Sequence, residues 1–266
     1  MPDSLFAPTP GEALDLWIGD ATSPASLPDL RHQRFEFTSR GDRVPGRLLL
    51  PRSGAGTFPL VLLQHGAGGS KESPYLEAAA GPWVRAGAAV ASIDFPLHGE
   101  RASAKLTQDL LRGIAGAAPL SSGERLRTGL VQQAVVDLRR ALDALEEHPL
   151  LDAKRVAYAG FSMGAILGAL FCGTDPRPRA AVLALGGGGL GPPETDPAHY
   201  IGRFAPRPLL FLNASRDEVI PRSASEALFA AAGDPKEIVW FDTHHAGLRG
   251  IALKAMWTFL RPQLGL

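Results

Sequence analysis

Six short, nearly continuous apolar runs punctuate the chain: Leu60–Leu63, Ala88–Ile93, Arg155–Ala159, Ala180–Leu185, Pro208–Leu212 and Glu237–Phe241. Runs of this kind suit parallel strands buried on both faces, which have no solvent face toward which to alternate. Between them the apolar positions recur at helical spacing, which predicts helices over Pro74–Arg85, Glu124–Glu147, Met163–Cys172, Ser223–Ala232 and Gly247–Leu260. Ahead of the runs, Gln33–Thr38 and Val44–Leu50 read as extended segments joined by a turn at Ser39-Arg40-Gly41-Asp42. The first thirty residues are rich in Pro, Ser and Asp, with a short helical pattern at Glu12–Ile18.

Strands alternating with helices after a leading hairpin predict an α/β fold. The sheet is mostly parallel and doubly wound, with helices on both faces and an N-terminal antiparallel hairpin. The expected organisation is an arm over residues 1–30 and one domain over 31–266. Two connections are longer than such a fold needs, at about 101–123 and 186–202. Ligands bind at the carboxyl edge of these sheets, so both are expected to wall a pocket. The glycine run Gly186–Gly189 inside the second reads as a flexible rim.

Composition narrows the class. The 266 residues are 45% apolar and 20% charged, enough to build a sizeable core. Lys plus Arg and Asp plus Glu both number 27, and zero net charge argues against a dedicated nucleic-acid or acidic-membrane binder. The sole cysteine, Cys172, excludes an internal disulfide and is expected to be a small buried hydrophobe. The first ten residues lack a signal-peptide pattern and no stretch approaches the ~18 apolar residues of a membrane span, so a soluble cytoplasmic protein is expected. Trp17, Trp83, Trp240 and Trp257 fall on apolar patterns and are expected in the core or lining a pocket. Gly66-Ala67-Gly68-Gly69-Ser70-Lys71 fails as a phosphate loop, because Ser70 and Glu72 stand where Gly and a hydroxyl residue are required.

Candidate chemistry centres on Gly160-Phe161-Ser162-Met163-Gly164, between a strand and a helix. A G-x-S-x-G turn lifts its serine above the sheet edge, and both glycines are needed because a side chain would strike neighbouring backbone. Ser162 is therefore the candidate nucleophile, and the N–H of Met163, the next residue, a candidate oxyanion donor. A serine needs a base and an orienting acid, in the chain order Ser, Asp or Glu, His. Asp217, or Glu218 beside it, follows one apolar run; His244 and His245 follow the next. There is no HExxH or CxxC pattern, and no metal is called for.

These motifs, together with His65-Gly66-Ala67-Gly68-Gly69-Ser70 and Asp94-Phe95-Pro96-Leu97-His98-Gly99-Glu100-Arg101, resemble the α/β-hydrolase superfamily. Within it the chain is similar to the dienelactone-hydrolase-like and small-esterase branch, over residues 33 to 262. The family's D-x-x-[VI]-P segment maps onto Asp217, and the register of its histidine segment onto His245. Its loop after the first parallel strand implies the Ala67 N–H as the second oxyanion donor. His65, His98 and Arg101 are implied to fix loops. True dienelactone hydrolases carry Cys as nucleophile, and this chain departs from them with Ser162.

The reaction implied is hydrolysis of a small or medium carboxylic ester by a Ser162–His245–Asp217 triad, with no cofactor and a small-molecule ester as substrate, without nucleic-acid or membrane partners and with the oligomeric state open. Thioester, lactone or amide cleavage and acyl transfer share the same residues. A non-catalytic member binding a small ligand in the same pocket is the alternative of another class.

Overall fold

The computed structural model describes residues 5–24, 26–54, 56–108 and 120–266, with side chains from residue 124 onward in the last segment. Nine strands among them form one sheet: β1 (Trp17–Ile18), β2 (Arg31–Ser39), β3 (Asp42–Leu50), β4 (Phe58–Gln64), β5 (Ala89–Ile93), β6 (Leu151–Phe161), β7 (Pro178–Ala184), β8 (Leu209–Ala214) and β9 (Lys236–Phe241). Their spatial order is β1-β2-β3-β5-β4-β6-β7-β8-β9. The first three pair antiparallel, as does β3 with β5, and every pairing from β5 through β9 is parallel. Helices among the described residues cover it: α1 (Pro74–Arg85), α2 (Leu120–Glu146), α3 (Met163–Thr174), α4 (Arg222–Ala231) and α5 (Ile251–Gln263).

The central strands are buried along their whole length because successive side chains feed two separate cores. In β4, Leu60 and Leu62 join the core under α2, α3 and α4, while Val61 and Leu63 join the core under α1 and α5. In β6, Val156 and Tyr158 face the first core and Ala157, Ala159 and Phe161 the second. Each fully buried Leu, Val or Phe contributes about 1.5–3 kcal/mol, so both faces of the strands that carry the site are anchored. Trp83 and Trp257 stack within the second core at 5.7 Å between ring centroids. Cys172 is fully buried as an apolar side chain, and burial pushes its thiol well up.

The hairpin forms at the expected turn. Arg40 and Gly41 both have positive φ (50° and 77°), the pattern of a two-residue type I′ connection whose twist matches the strands it joins. The helix expected at Glu12–Ile18 does not form. A stretch this short cannot offset the cost of nucleating a helix, and its backbone has the edge of β2 to bond. Thr38 N–H donates to Leu14 O (2.7 Å), Gly19 N–H to Arg34 O (2.9 Å), and β1 pairs Trp17 with Glu36. That pairing leaves Trp17 49% exposed on the edge, outside the core. Trp240 is half-buried, its ring under the Arg222 guanidinium.

The last helix starts at Ile251 and not at Gly247. Gly250, at φ +42°, breaks the chain direction just before it, and His245–Gly247 forms a separate 3₁₀ turn. Gly186, Gly187 and Gly188 are buried, contrary to a flexible rim. Gly188 N–H donates to Ala224 O (2.9 Å), the Ser225 hydroxyl donates to Gly186 O (2.9 Å), and the Asp196 carboxylate accepts from Gly189 N–H (2.6 Å). The glycines are there because α4 packs closely on this loop: a Cβ on Gly187 would stand 3.0 Å from both Ala224 and Ile220. Of the other long connection, residues 109–119 lie outside the described residues.

Candidate active site

Ser162 sits between the end of β6 and the start of α3, where one residue must reverse the chain. Its backbone is at φ +52°, ψ −113°, a region costly for any residue with a Cβ, of order 1–3 kcal/mol. The surroundings hold it there. Ser162 N–H donates to Ala184 O of β7 (2.8 Å), while its own carbonyl accepts from Ala165 and Ile166 and so opens α3. Close packing explains both glycines of the motif. A Cβ on Gly160 would collide with the Gly164 carbonyl, and one on Gly164 would stand 2.7 Å from the His65 carbonyl oxygen.

The acid and base come from the adjacent loops after β8 and β9. His245 Nε2 lies 3.0 Å from Ser162 Oγ, and His245 Nδ1 lies 2.8 and 2.9 Å from the two Asp217 carboxylate oxygens. With Nδ1 against a carboxylate, a neutral ring carries its proton there, so Nε2 can accept from the serine hydroxyl. Asp217 Oδ1 also accepts from the N–H groups of Val219 and Ile220, both at 2.8 Å, which fixes the carboxylate plane. The loops are tied to each other by Arg216 N–H to Thr243 O (3.0 Å) and Ser215 N–H to Phe241 O (2.8 Å).

The two ambiguous neighbours separate cleanly. His244 is exposed, and among the described residues no hydrogen bond joins it to Ser162 or Asp217. Glu218 is not against the imidazole. Its carboxylate accepts the His245 backbone N–H at 3.1 Å, and that bond holds it below the usual carboxylate range.

The Ala67 loop closes over the serine turn: a Cβ on Gly66 would touch Phe161 O and Ser162 Cβ at 3.2 Å. Among the described residues, neither the Ala67 nor the Met163 N–H donates to a protein acceptor. His65 is fully buried, accepting from Phe95 N–H at Nε2 (3.2 Å) and donating from Nδ1 to Gly66 O (2.8 Å). Burial pushes its pKa down to about 4, so it is a neutral loop-holding residue. His98 bonds Pro96 O (2.8 Å), and Arg101 reaches Asp94 O, Asp137 and Asp42. Among the described residues no cluster of His, Cys, Asp or Glu could hold a metal ion.

Four supporting residues had no role from the sequence. Asp94, fully buried, accepts from Lys71 through both its backbone N–H and its ammonium group, each at 2.8 Å, and Glu100 makes a further contact with that ammonium. This pins the loop after β4 to the loop after β5. Tyr75, at the start of α1, reaches back to Gly66 N–H (2.8 Å). The signal for Asp94 was its position directly after an apolar run; Lys71 and Tyr75 carried none, because their partners are distant in sequence.

A groove at the start of α2 is lined by Leu97, Arg101, Leu106, Arg125 and Leu130. None of Ser162, Asp217 and His245 lines it.

Comparison with known proteins agrees with this architecture. The dienelactone hydrolase family matches residues 114–249, just over half of the chain. No curated protein matches the sequence. Among solved structures, a cold-adapted esterase from an Arctic intertidal metagenomic library is similar at 23% identity and a TM-score of 0.74, covering 92% of this chain and 98% of that one. Acetyl xylan esterase from Paenibacillus sp. R4 is similar at 18% identity and a TM-score of 0.77, covering 98% and 92%. Acetyl xylan esterase 1 from Thermoanaerobacterium sp. JW/SL YS485 gives 17% and 0.73, with the same coverage. At these identities the likeness is one of fold.

Proposed function

The chain belongs to the dienelactone hydrolase family and is a carboxylic ester hydrolase, and from that premise we propose that it is a serine esterase acting on small or medium acyl esters through an acyl-enzyme on Ser162. The observation that carries this reading is the continuous array Ser162 Oγ, His245 imidazole, Asp217 carboxylate, with bonds of 2.8–3.0 Å. Ser162 Oγ attacks the acyl carbonyl as its proton passes to His245 Nε2. Asp217 keeps the imidazole in the needed tautomer and stabilises the imidazolium. The Ala67 and Met163 N–H groups take the developing oxyanion, each such donor contributing on the order of 10²–10³ in rate. The imidazolium then protonates the departing alcohol, and water repeats the sequence to release the acid and free Ser162.

Thioesters, lactones and activated amides present the same electrophilic carbonyl, and an alcohol in place of water turns hydrolysis into transfer. The short-acyl preference draws on the two acetyl xylan esterases of similar fold. A cytoplasmic setting fits the lone reduced thiol of Cys172.

Hydrolysis of p-nitrophenyl esters from acetyl to long acyl chains, by the wild type beside Ser162→Ala, tests the reading. Activity on short chains that vanishes in the variant supports it. Equal rates in both proteins remove Ser162 as nucleophile. Failure of the wild type both to hydrolyse any ester and to take a fluorophosphonate label favours the binding-only alternative.

A further inference from the structure

The peptide that would present the Ala67 N–H is anchored through the Gly66 carbonyl and the Gly66 N–H beside it. Gly66-Ala67-Gly68-Gly69 forms a tight turn closed by Gly69 N–H to Gly66 O (3.1 Å), with Gly68 at φ +75°. Positive φ at the third residue is the type II arrangement, which leaves the Ala67 N–H at the corner, outside the turn's own bond. The Gly66 carbonyl lies in the same peptide plane as the Ala67 N–H and points the opposite way. That carbonyl accepts from both Gly69 N–H and His65 Nδ1, so the direction of the Ala67 N–H is set from behind.

One end of the turn is still unaccounted for, and there Tyr75 acts. Its hydroxyl accepts the Gly66 N–H at 2.8 Å, and its ring meets the Phe161 ring edge-on at 5.3 Å between centroids. Phe161 immediately precedes Ser162. A single side chain thus touches both halves of the candidate oxyanion hole, the turn that carries Ala67 and the elbow that carries Met163. The contact is close enough to exclude side chains nearby, since a Cβ on Gly69 would stand 2.8 Å from the Tyr75 oxygen.

We propose that Tyr75 is a positioning residue for the oxyanion hole: its hydroxyl sets the Gly66 end of the turn and its ring sets the distance to the serine elbow. The proposal rests on the serine-esterase reading. Without the hydroxyl, Gly66 N–H must turn toward solvent, and the Ala67 N–H moves with it. Displacements of about 1 Å at a reacting centre can cost ~10²-fold in rate. Loosening one of two donors is therefore expected to cost about tenfold, below the 10²–10³ for removing it.

The test is Tyr75→Phe, which keeps the ring on Phe161. With p-nitrophenyl acetate, kcat is expected to fall about tenfold while KM moves less than twofold. Affinity for a short alkyl boronic acid, which forms a tetrahedral adduct on the serine, should fall by the same factor as kcat. A variant whose melting temperature drops but whose kcat and boronate affinity match the wild type overturns the proposal, because a purely structural Tyr75 predicts that result. Amide hydrogen exchange of the wild type supplies a measurement independent of the variant's folding. Slow exchange at Gly66 is expected, and free exchange overturns the proposal. A wild type that neither hydrolyses the ester nor reacts with a fluorophosphonate overturns the esterase reading itself, a result distinct from an active wild type with an equally active variant.

Discussion

The hydroxyl of Tyr158 donates to the carbonyl oxygen of Gly164 at 2.6 Å, clamping β6 to the first turn of α3 across the strained Ser162. The ring is fully buried, and Gly168 on the next helical turn makes room for it, since a Cβ there would strike the ring. Tyr158→Phe keeps the packing and strips a buried carbonyl of this donor. The expected loss is about 1–3 kcal/mol, seen as a drop of roughly 2–12 °C in melting temperature for a chain of this size. An unchanged melting temperature would show that the elbow is held without this bond.

His244 and His245 are adjacent in sequence and opposite in environment. His245→Ala should lower kcat on short esters by on the order of 10⁴–10⁶, whereas His244→Ala, at an exposed position, should stay within about threefold of the wild type. Asp217→Asn should cost about 10⁴, because an amide at that position favours the wrong tautomer. Steady-state rates of the three variants check the assignment, and a larger loss in His244→Ala than in His245→Ala would reverse it.

His65 ties stability to pH. Its pKa is about 4 in the folded protein and near 6.5 when unfolded, so between those values the unfolded chain binds the extra proton. Stability from this residue is complete above pH 6.5 and is lost as pH falls toward 4. A shift of this size amounts to about 3 kcal/mol. Urea unfolding at pH 7 and pH 5 should show the fall, and His65→Asn, which keeps a donor toward Gly66 O, should flatten it. A wild type whose stability is level across that window would mean that His65 is not buried neutral.

Much of this molecule was legible because its signals are local. A strand buried on two faces must be an unbroken apolar run, so all six parallel strands and the helices between them follow from the pattern, with α1 matching at both ends. The serine elbow was legible because its strand end, two glycines, serine and helix start fall together in one short stretch, even though one of those glycines, Gly164, answers to the distant His65 backbone. What escaped reading depends on distant partners. β1 exists only because β2 offers an edge, and Tyr75 matters only because α1 brings it back to Gly66. The buried glycines at 186–188 read as flexible because nothing near them in sequence announces the α4 residues that press on them.

Arg101 and Asp137 show the same long-range logic in energetic form. Asp137 is fully buried and Arg101 meets it at 2.7 Å, yet burial still holds the Asp137 carboxyl above the usual range. The cation therefore does not fully offset the cost of desolvating the anion. Removing only the cation, in Arg101→Ala, strands that carboxylate and should cost about 3–5 kcal/mol. Replacing both, in Arg101→Met with Asp137→Leu, removes the desolvation cost together with the attraction. The double variant should then lie well above the single one and within about 2 kcal/mol of the wild type, less what Arg101 gives through Asp42 and the Asp94 carbonyl. Denaturant unfolding of the wild type, Arg101→Ala and the double variant makes the comparison. A double variant as unstable as Arg101→Ala would mean that Arg101 acts through Asp94 and the loop beside the serine rather than through Asp137.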